Sequence, residues 1–201
     1  MVTEQAISRM KERLDGGDTP RQDGFFDRDF TGRSPAEEVF EGVFLRAKNE
    51  SEEKKSPFLA NLVASVAFDS AISVEMANYF IKLAEKLTYR QYCLVALVGI
   101  VVNLNVEQLR RAVHDDIELE VLRREEMDMH LSDLGTFGLL YGSGPWDDSL
   151  SPLGHALYLH MELNKVPLPD VEKVVGLLHK AGCSVNLPTY LSSVSLQGAR
   201  V

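Results

Sequence analysis

The stretch TYRQYCLVALVGIVV, residues 88–102, decides the fold. Thr88 is a capping residue, and Gln91 three positions on can return a bond to its amide, which together make a capping box. From Tyr92 to Val102 every residue is apolar or glycine. A helix without a polar face has to be covered on every side. The run is about half the ~20 residues that a bilayer core requires, so it reads as the central helix of a globular core and not as a membrane span.

Upstream, three further helices lead into it. Ser34-Pro35-Ala36-Glu37 is a helix start with a Ser cap, Pro at the first position and Glu at the third. That helix runs to about Asn49 and turns Val39, Phe40, Val43, Phe44 and Ala47 inward. Ser56-Pro57 starts the next, whose stripe of Phe58, Leu59, Leu62, Val63 and Val66 is interrupted by Asn61 and Ser65. Ser73 caps a third, with Met76, Ala77, Phe80, Ile81, Leu83 and Ala84 facing inward. Four consecutive helices on short connections are the pattern of an antiparallel bundle.

The N-terminal segment is different. Residues 3–14 form a short amphipathic helix with Ile7, Met10 and Leu14 on one side, marginal unless it docks. Residues 16–33, GGDTPRQDGFFDRDFTGR, carry no period. Phe25, Phe26 and Phe30 either pin this linker to the body of the protein or present it to a partner.

Beyond residue 102 the spacing predicts a short helix at 105–113, a break at His114-Asp115-Asp116 and a long charged helix from Ile117 to Leu134. Phe137–Tyr141 and the stretch around Leu150 flank the turn SGPWDDS and make a candidate β-hairpin. Helices at 151–163 and 170–180 follow, then a tail at 183–201 read as loop, edge strand or disorder. The reading is a mainly α fold: a helical bundle around the buried helix 88–102, with a C-terminal helical unit carrying a winged-helix-like hairpin. Its divisions are 1–33 (helix and linker), 34–104 (core), 105–182 (C-terminal unit) and 183–201 (tail).

Composition narrows the function. The 201 residues are 45% hydrophobic and 25% charged, with a formal net charge of -9. Binders of polyanions neutralise phosphates with clustered Lys and Arg, so this balance disfavours nucleic acid and anionic membrane surfaces. The turn SGPWDDS has two aspartates and no Lys or Arg, unlike a wing that grips DNA. Cys93 reads as a small hydrophobe, which fits a reducing cytoplasm, and the charged N-terminus has no signal-peptide core.

Catalytic patterns are absent. There is no G-x-S-x-G, H-E-x-x-H, C-x-x-C or P-loop, and no cofactor motif. Ser143 lies in turn chemistry, and Cys183 sits in the tail. His114-Asp115 with Asp128, His130, His155 and His160 are nominees for a metal hydrolase. His155 and His160, however, are five apart and point about 140 degrees from each other on a helix.

Two buried polar residues need partners. Asn61 is expected to bind a neighbouring backbone group or Tyr89, because an unpaired buried amide costs ~1–3 kcal/mol. Arg90, in the first turn of a helix where a cation is unfavourable, is expected to pair with Asp69 or Glu85. Trp146, at the polar turn, is with Phe25 and Phe26 a candidate partner contact.

Several of these segments carry a resemblance. Phe58-Leu59-Ala60-Asn61-Leu62 and Leu87-Thr88-Tyr89-Arg90-Gln91-Tyr92 resemble a pattern of uncharacterised bacterial helical proteins. LGTFGLLYG followed by a turn and Leu150-Ser151-Pro152-Leu153-Gly154 more loosely resembles the abortive-infection protein alpha family. The resemblance covers residues 35 to about 160. It implies bacterial origin, a helical fold and a role in phage defence, and carries over no catalytic residue. The expectation is a non-catalytic cytoplasmic interaction or regulatory module whose partner is another protein or a second copy. The alternatives are a winged-helix-type DNA-binding regulator and, behind it, a metal-dependent hydrolase.

Overall fold

The computed structural model describes residues 2–49, 52–100, 121–141 and 150–180. The fold is mainly helical, and no strand occurs among the described residues. The helices are α1 (Val2–Asp15), α2 (Pro35–Asn49), α3 (Ser56–Phe68), α4 (Val74–Lys86), α5 (Tyr89–Ile100), α6 (Val121–Thr136), α7 (Pro152–His160) and α8 (Leu168–Lys180). Short 3-10 turns precede α3 (Glu53–Lys55) and α8 (Leu163–Lys165). The short helix at 105–113, the His114-Asp115 pair, the turn bearing Trp146 and the tail with Cys183 lie outside the described residues. No described helix is long and apolar enough to cross a membrane.

The caps written in the sequence set the helix starts. The Ser34 amide is bound by the Glu37 carboxylate (3.0 Å) and the Glu37 amide by Ser34 Oγ (3.2 Å), both halves of a capping box. Ser73 Oγ accepts from the Met76 amide, and Ser151 Oγ from the Gly154 amide. Two helices end on a left-handed glycine, as the Schellman geometry requires. After α1, Gly17 (φ 93) lets the Asp18 amide reach the Arg13 carbonyl. After α6, Gly138 (φ 71) lets the Leu139 amide reach the Leu134 carbonyl.

The chain divides into two compact units. The first comprises residues 1–89 with 159–163, and its centre is α3. Most of that helix is buried, from Phe58 through Ala64 and again at Val66 and Ala67, and α1, α2 and α4 pack against it. The polar residues that interrupt its stripe reach backbone carbonyls far along the chain. Asn61 Nδ2 donates to Met161 (3.2 Å) and Ser65 Oγ to His160 (3.0 Å). Asn61 thus finds a backbone partner, while its Oδ1 is buried without one. α1 docks with Val2 and Ala6 inward, and Ile7 and Leu14, expected on the packed side, are exposed. In α4 the inward stripe holds except at Met76, which is exposed.

Three helix ends in this unit are satisfied by charged side chains. Arg21 donates to the carbonyls of Val66 and Ile72, and its own amide binds the Ala67 carbonyl, so a cation closes the C-terminus of α3. Lys55, buried, donates to the Glu85 carbonyl at the end of α4 (3.0 Å). Glu52 accepts from the Tyr89 amide that opens α5 (3.0 Å). Each sign suits the helix dipole it meets. The segment 52–55 therefore holds the α4–α5 connection from both sides.

The second unit comprises residues 90–158 with 164–201. Every residue of α5 from Tyr92 to Val98 is at most 4% exposed. Gly99 lies so close to α7 that a Cβ there would sit 2.5 Å from the Tyr158 ring. The predicted hairpin flanks meet in one isolated antiparallel bridge, Leu140 to Leu150. Beside it the Ser151 amide binds the Leu139 carbonyl (2.9 Å), and a Cβ on Gly154 would lie 2.1 Å from that oxygen. The segment Leu150-Ser151-Pro152-Leu153-Gly154 is therefore a joint in which Ser caps and Gly admits the neighbouring backbone.

Candidate interaction surface

The aperiodic segment between α1 and α2 is built on one buried arginine. Arg21 sits against the C-terminus of α3, as above, while its guanidinium grips Asp23 and covers the face of Phe25, 4.4 Å from the ring centroid. Pairing with Arg21 holds the Asp23 carboxyl below its ordinary range. Phe25 is 2% exposed and its carbonyl accepts from the Ala36 amide, so the segment is fastened at both ends. Phe25 is spent on the chain's own packing.

Phe26 is 43% exposed. Its ring stands 6.5 Å from that of Phe40, and Phe40 stands 6.4 Å from Phe44 one helical turn along α2. Phe25 meets both Phe26 and Phe40 edge-on, at 5.2 and 5.9 Å. Phe40 and Phe44 are themselves half-buried. A row of aromatic rings thus runs from the segment on to α2.

Phe30 is 99% exposed. The turn that carries it is tied on either side. Asp29 Oδ1 accepts from the amide and hydroxyl of Thr31, and the backbones of Asp29 and Arg33 are bonded (2.9 Å). The Thr31 hydroxyl holds the Asp29 carboxyl below its ordinary range. Gly32 supplies the left-handed residue (φ 78) that the turn needs. Arg28 pairs with Glu37, and Arg33 with Glu41. The loop is thus fixed to the first turns of α2, with a phenyl ring held out in water. The sequence placed Phe30 among the linker aromatics but gave no sign that it would stand apart from Phe25. Arg21, which makes the difference, has no periodic signal around it.

A second polar cluster lies in the other unit, between the start of α5 and α6. Arg90 pairs with Glu126, in place of the expected Asp69 or Glu85. His130 Nε2 is 3.6 Å from the same carboxylate, and Gln91 Nε2 donates to Asp133 (3.2 Å). His130 is buried with Nδ1 unpartnered, and burial, helped by Arg90, lowers its pKa from 6.5. The Glu126 carboxylate thus lies against both the Arg90 guanidinium and the His130 ring.

Two further histidines meet aromatic rings. His155 stacks on Tyr158 (6.3 Å), and His160 lies 5.8 Å from the Phe80 ring with its pKa lowered by burial. Among the described residues no three His, Cys, Asp or Glu side chains are grouped to hold a metal ion. Trp146 lies outside the described residues. No protein-family model, no curated protein and no solved structure matches the chain.

Proposed function

We propose that this chain is a non-catalytic, cytoplasmic protein-interaction module of a bacterium, acting through the loop that presents Phe30. The observation that carries the reading is the contrast within one short segment. Arg21 and Phe25 are buried to hold the loop still, and Phe30 is left 99% exposed. Ordering a loop costs about 1–2 kcal/mol of backbone entropy per residue, and a pre-ordered loop removes that cost from the binding step. Aromatic residues, Phe among them, are enriched at protein interfaces relative to the rest of the surface. The resemblance to the abortive-infection alpha family supports phage defence as the setting.

The test is site-specific crosslinking in the cells that make the protein. A photoreactive phenylalanine analogue at position 30 is expected to give a discrete protein adduct, while the same analogue at the exposed Tyr79 of α4 gives none. No adduct at position 30, or the same adducts at both positions, would remove the proposal.

A further inference from the structure

We infer that α6 is a helix released by acid: a proton taken up by His130 frees it from the core of its unit, so that this unit carries a pH switch. The inference is independent of the Phe30 loop. It starts from where the ring sits. The face that α6 buries consists of Met127, His130, Leu131 and Leu134, the i, i+3, i+4, i+7 spacing of an inward stripe. His130 is 5% exposed and the three apolar residues are at most 4% exposed. A titratable ring therefore occupies a core position on a helix held in place by apolar packing. A neutral imidazole is tolerated there, whereas an imidazolium needs a partner for its charge and for each N–H.

The surroundings supply neither in full. Nε2 lies 3.6 Å from Glu126 Oε1, and Arg90 pairs with that same oxygen. The carboxylate draws the neutral ring's one proton to Nε2, so the proton taken from water in acid goes to Nδ1. Nδ1 is buried without a hydrogen-bond partner, and protonation makes it a donor with nothing to accept from it. Arg90 is charged throughout this pH range and already neutralises Glu126, which leaves little attraction for a second cation. Among the described residues the charged groups facing the ring are Arg90 of α5 and Glu126 and Asp133 of α6, and Asp133 itself accepts from Gln91 of α5. Burial and Arg90 together outweigh the two acids. Once α6 lifts away, water solvates the imidazolium, so the open form binds the proton more readily and acid shifts the population towards it. The shift acts below pH 6.5 and ends where the lowered folded value is passed. One linked proton limits it to about tenfold per pH unit.

The experiment is amide hydrogen exchange of the full chain, followed by mass spectrometry at pH 7.5 and pH 5.5 and corrected for the pH dependence of the exchange chemistry. The opening of α6 is expected to rise several-fold, up to about tenfold, between the two. At both pH values α6 should exchange before α5, because the release is local and not the unfolding of the unit. His130→Gln has no group to titrate and should abolish the rise. Arg90→Gln should reduce it, because Glu126 is then free to pair with the imidazolium. This second variant leaves His130 in place, and it decides the matter alone if His130→Gln does not fold. An α6 whose opening is the same at both pH values would overturn the inference. So would a rise that survives His130→Gln, a rise undiminished in Arg90→Gln, or α5 and α6 losing protection together.

Discussion

Gly154 shows how much one missing side chain decides. The Leu139 carbonyl oxygen occupies the place where a Cβ would be, at 2.1 Å, and the same carbonyl accepts from the Ser151 amide. Backbone cannot give way as a flexible side chain can, so Gly154→Ala must move α7 or break that bond. We expect a loss of about 3 kcal/mol, read as a lower urea midpoint with the slope unchanged. A variant as stable as the native chain would refute this account of the joint. Gly99 is a milder case, because the obstacle there is the Tyr158 ring, which can turn aside. Asn61 makes a different point. Its Nδ2 has a partner and its buried Oδ1 has none, so the residue holds residue 161 in place while leaving an acceptor unsatisfied.

At the scale of the element, α3 and the loop closed onto it are one device. The C-terminal carbonyls of a helix have no partners within it, and Arg21 supplies them from a segment 45 residues away in sequence. The cation is 3% exposed at its side chain, so its bonds to Val66 and Ile72 are made out of water. Arg21→Met keeps the stem and removes the donors. It should cost about 3 kcal/mol, because buried carbonyls and Asp23 lose a charged partner together. It should also release the loop, so that limited proteolysis cuts between residues 21 and 33 in the variant before the native chain is touched. Unchanged stability with an intact loop would show that Arg21 is not what holds it. The charged segment 52–55 plays a comparable part at the α4–α5 connection, where Lys55 and Glu52 meet helix ends of opposite polarity.

For the molecule as a whole, the buried His130 and the half-buried His160 contribute a response to acid. His130 and His160 both have pKa values lowered by burial from 6.5, so the folded chain resists protonation where the unfolded chain accepts it. Below pH 6.5 the unfolded state therefore binds more protons, and stability falls with pH until the lowered folded values are passed. The charges facing His130 are Arg90, Glu126 and Asp133, and Asp69 faces His160. Urea midpoints should drop between pH 7.5 and pH 5.5, and His130→Gln with His160→Gln should flatten that slope. A native midpoint independent of pH over this window would contradict the desolvation of these rings. The acids Asp23, Asp29 and Glu37, whose pKa values are lowered by bonds from Arg21, Thr31 and the Ser34 amide, contribute stability that is lost only at more acid pH, so the two windows are separable.

What the sequence by itself determined was local. The capping box at Ser34 and Glu37 and the Ser73 cap are interactions within a few residues, and each was legible because both members lie within about one helical turn. The apolar run of α5 announced its burial for the same reason. Only the tertiary structure decided which face of α1 docks, which of three linker phenylalanines is buried, and which acid Arg90 meets. Ile7 and Leu14 were the better apolar stripe, yet the small residues Val2 and Ala6 allow the close approach to α3. The chain holds 30 acidic residues, and local spacing does not distinguish Glu126 from Asp69 or Glu85 as a partner for one guanidinium. Long-range pairings depend on where separate helices come to lie, and that is fixed by the packing of the core and not by any residue's neighbours in the chain.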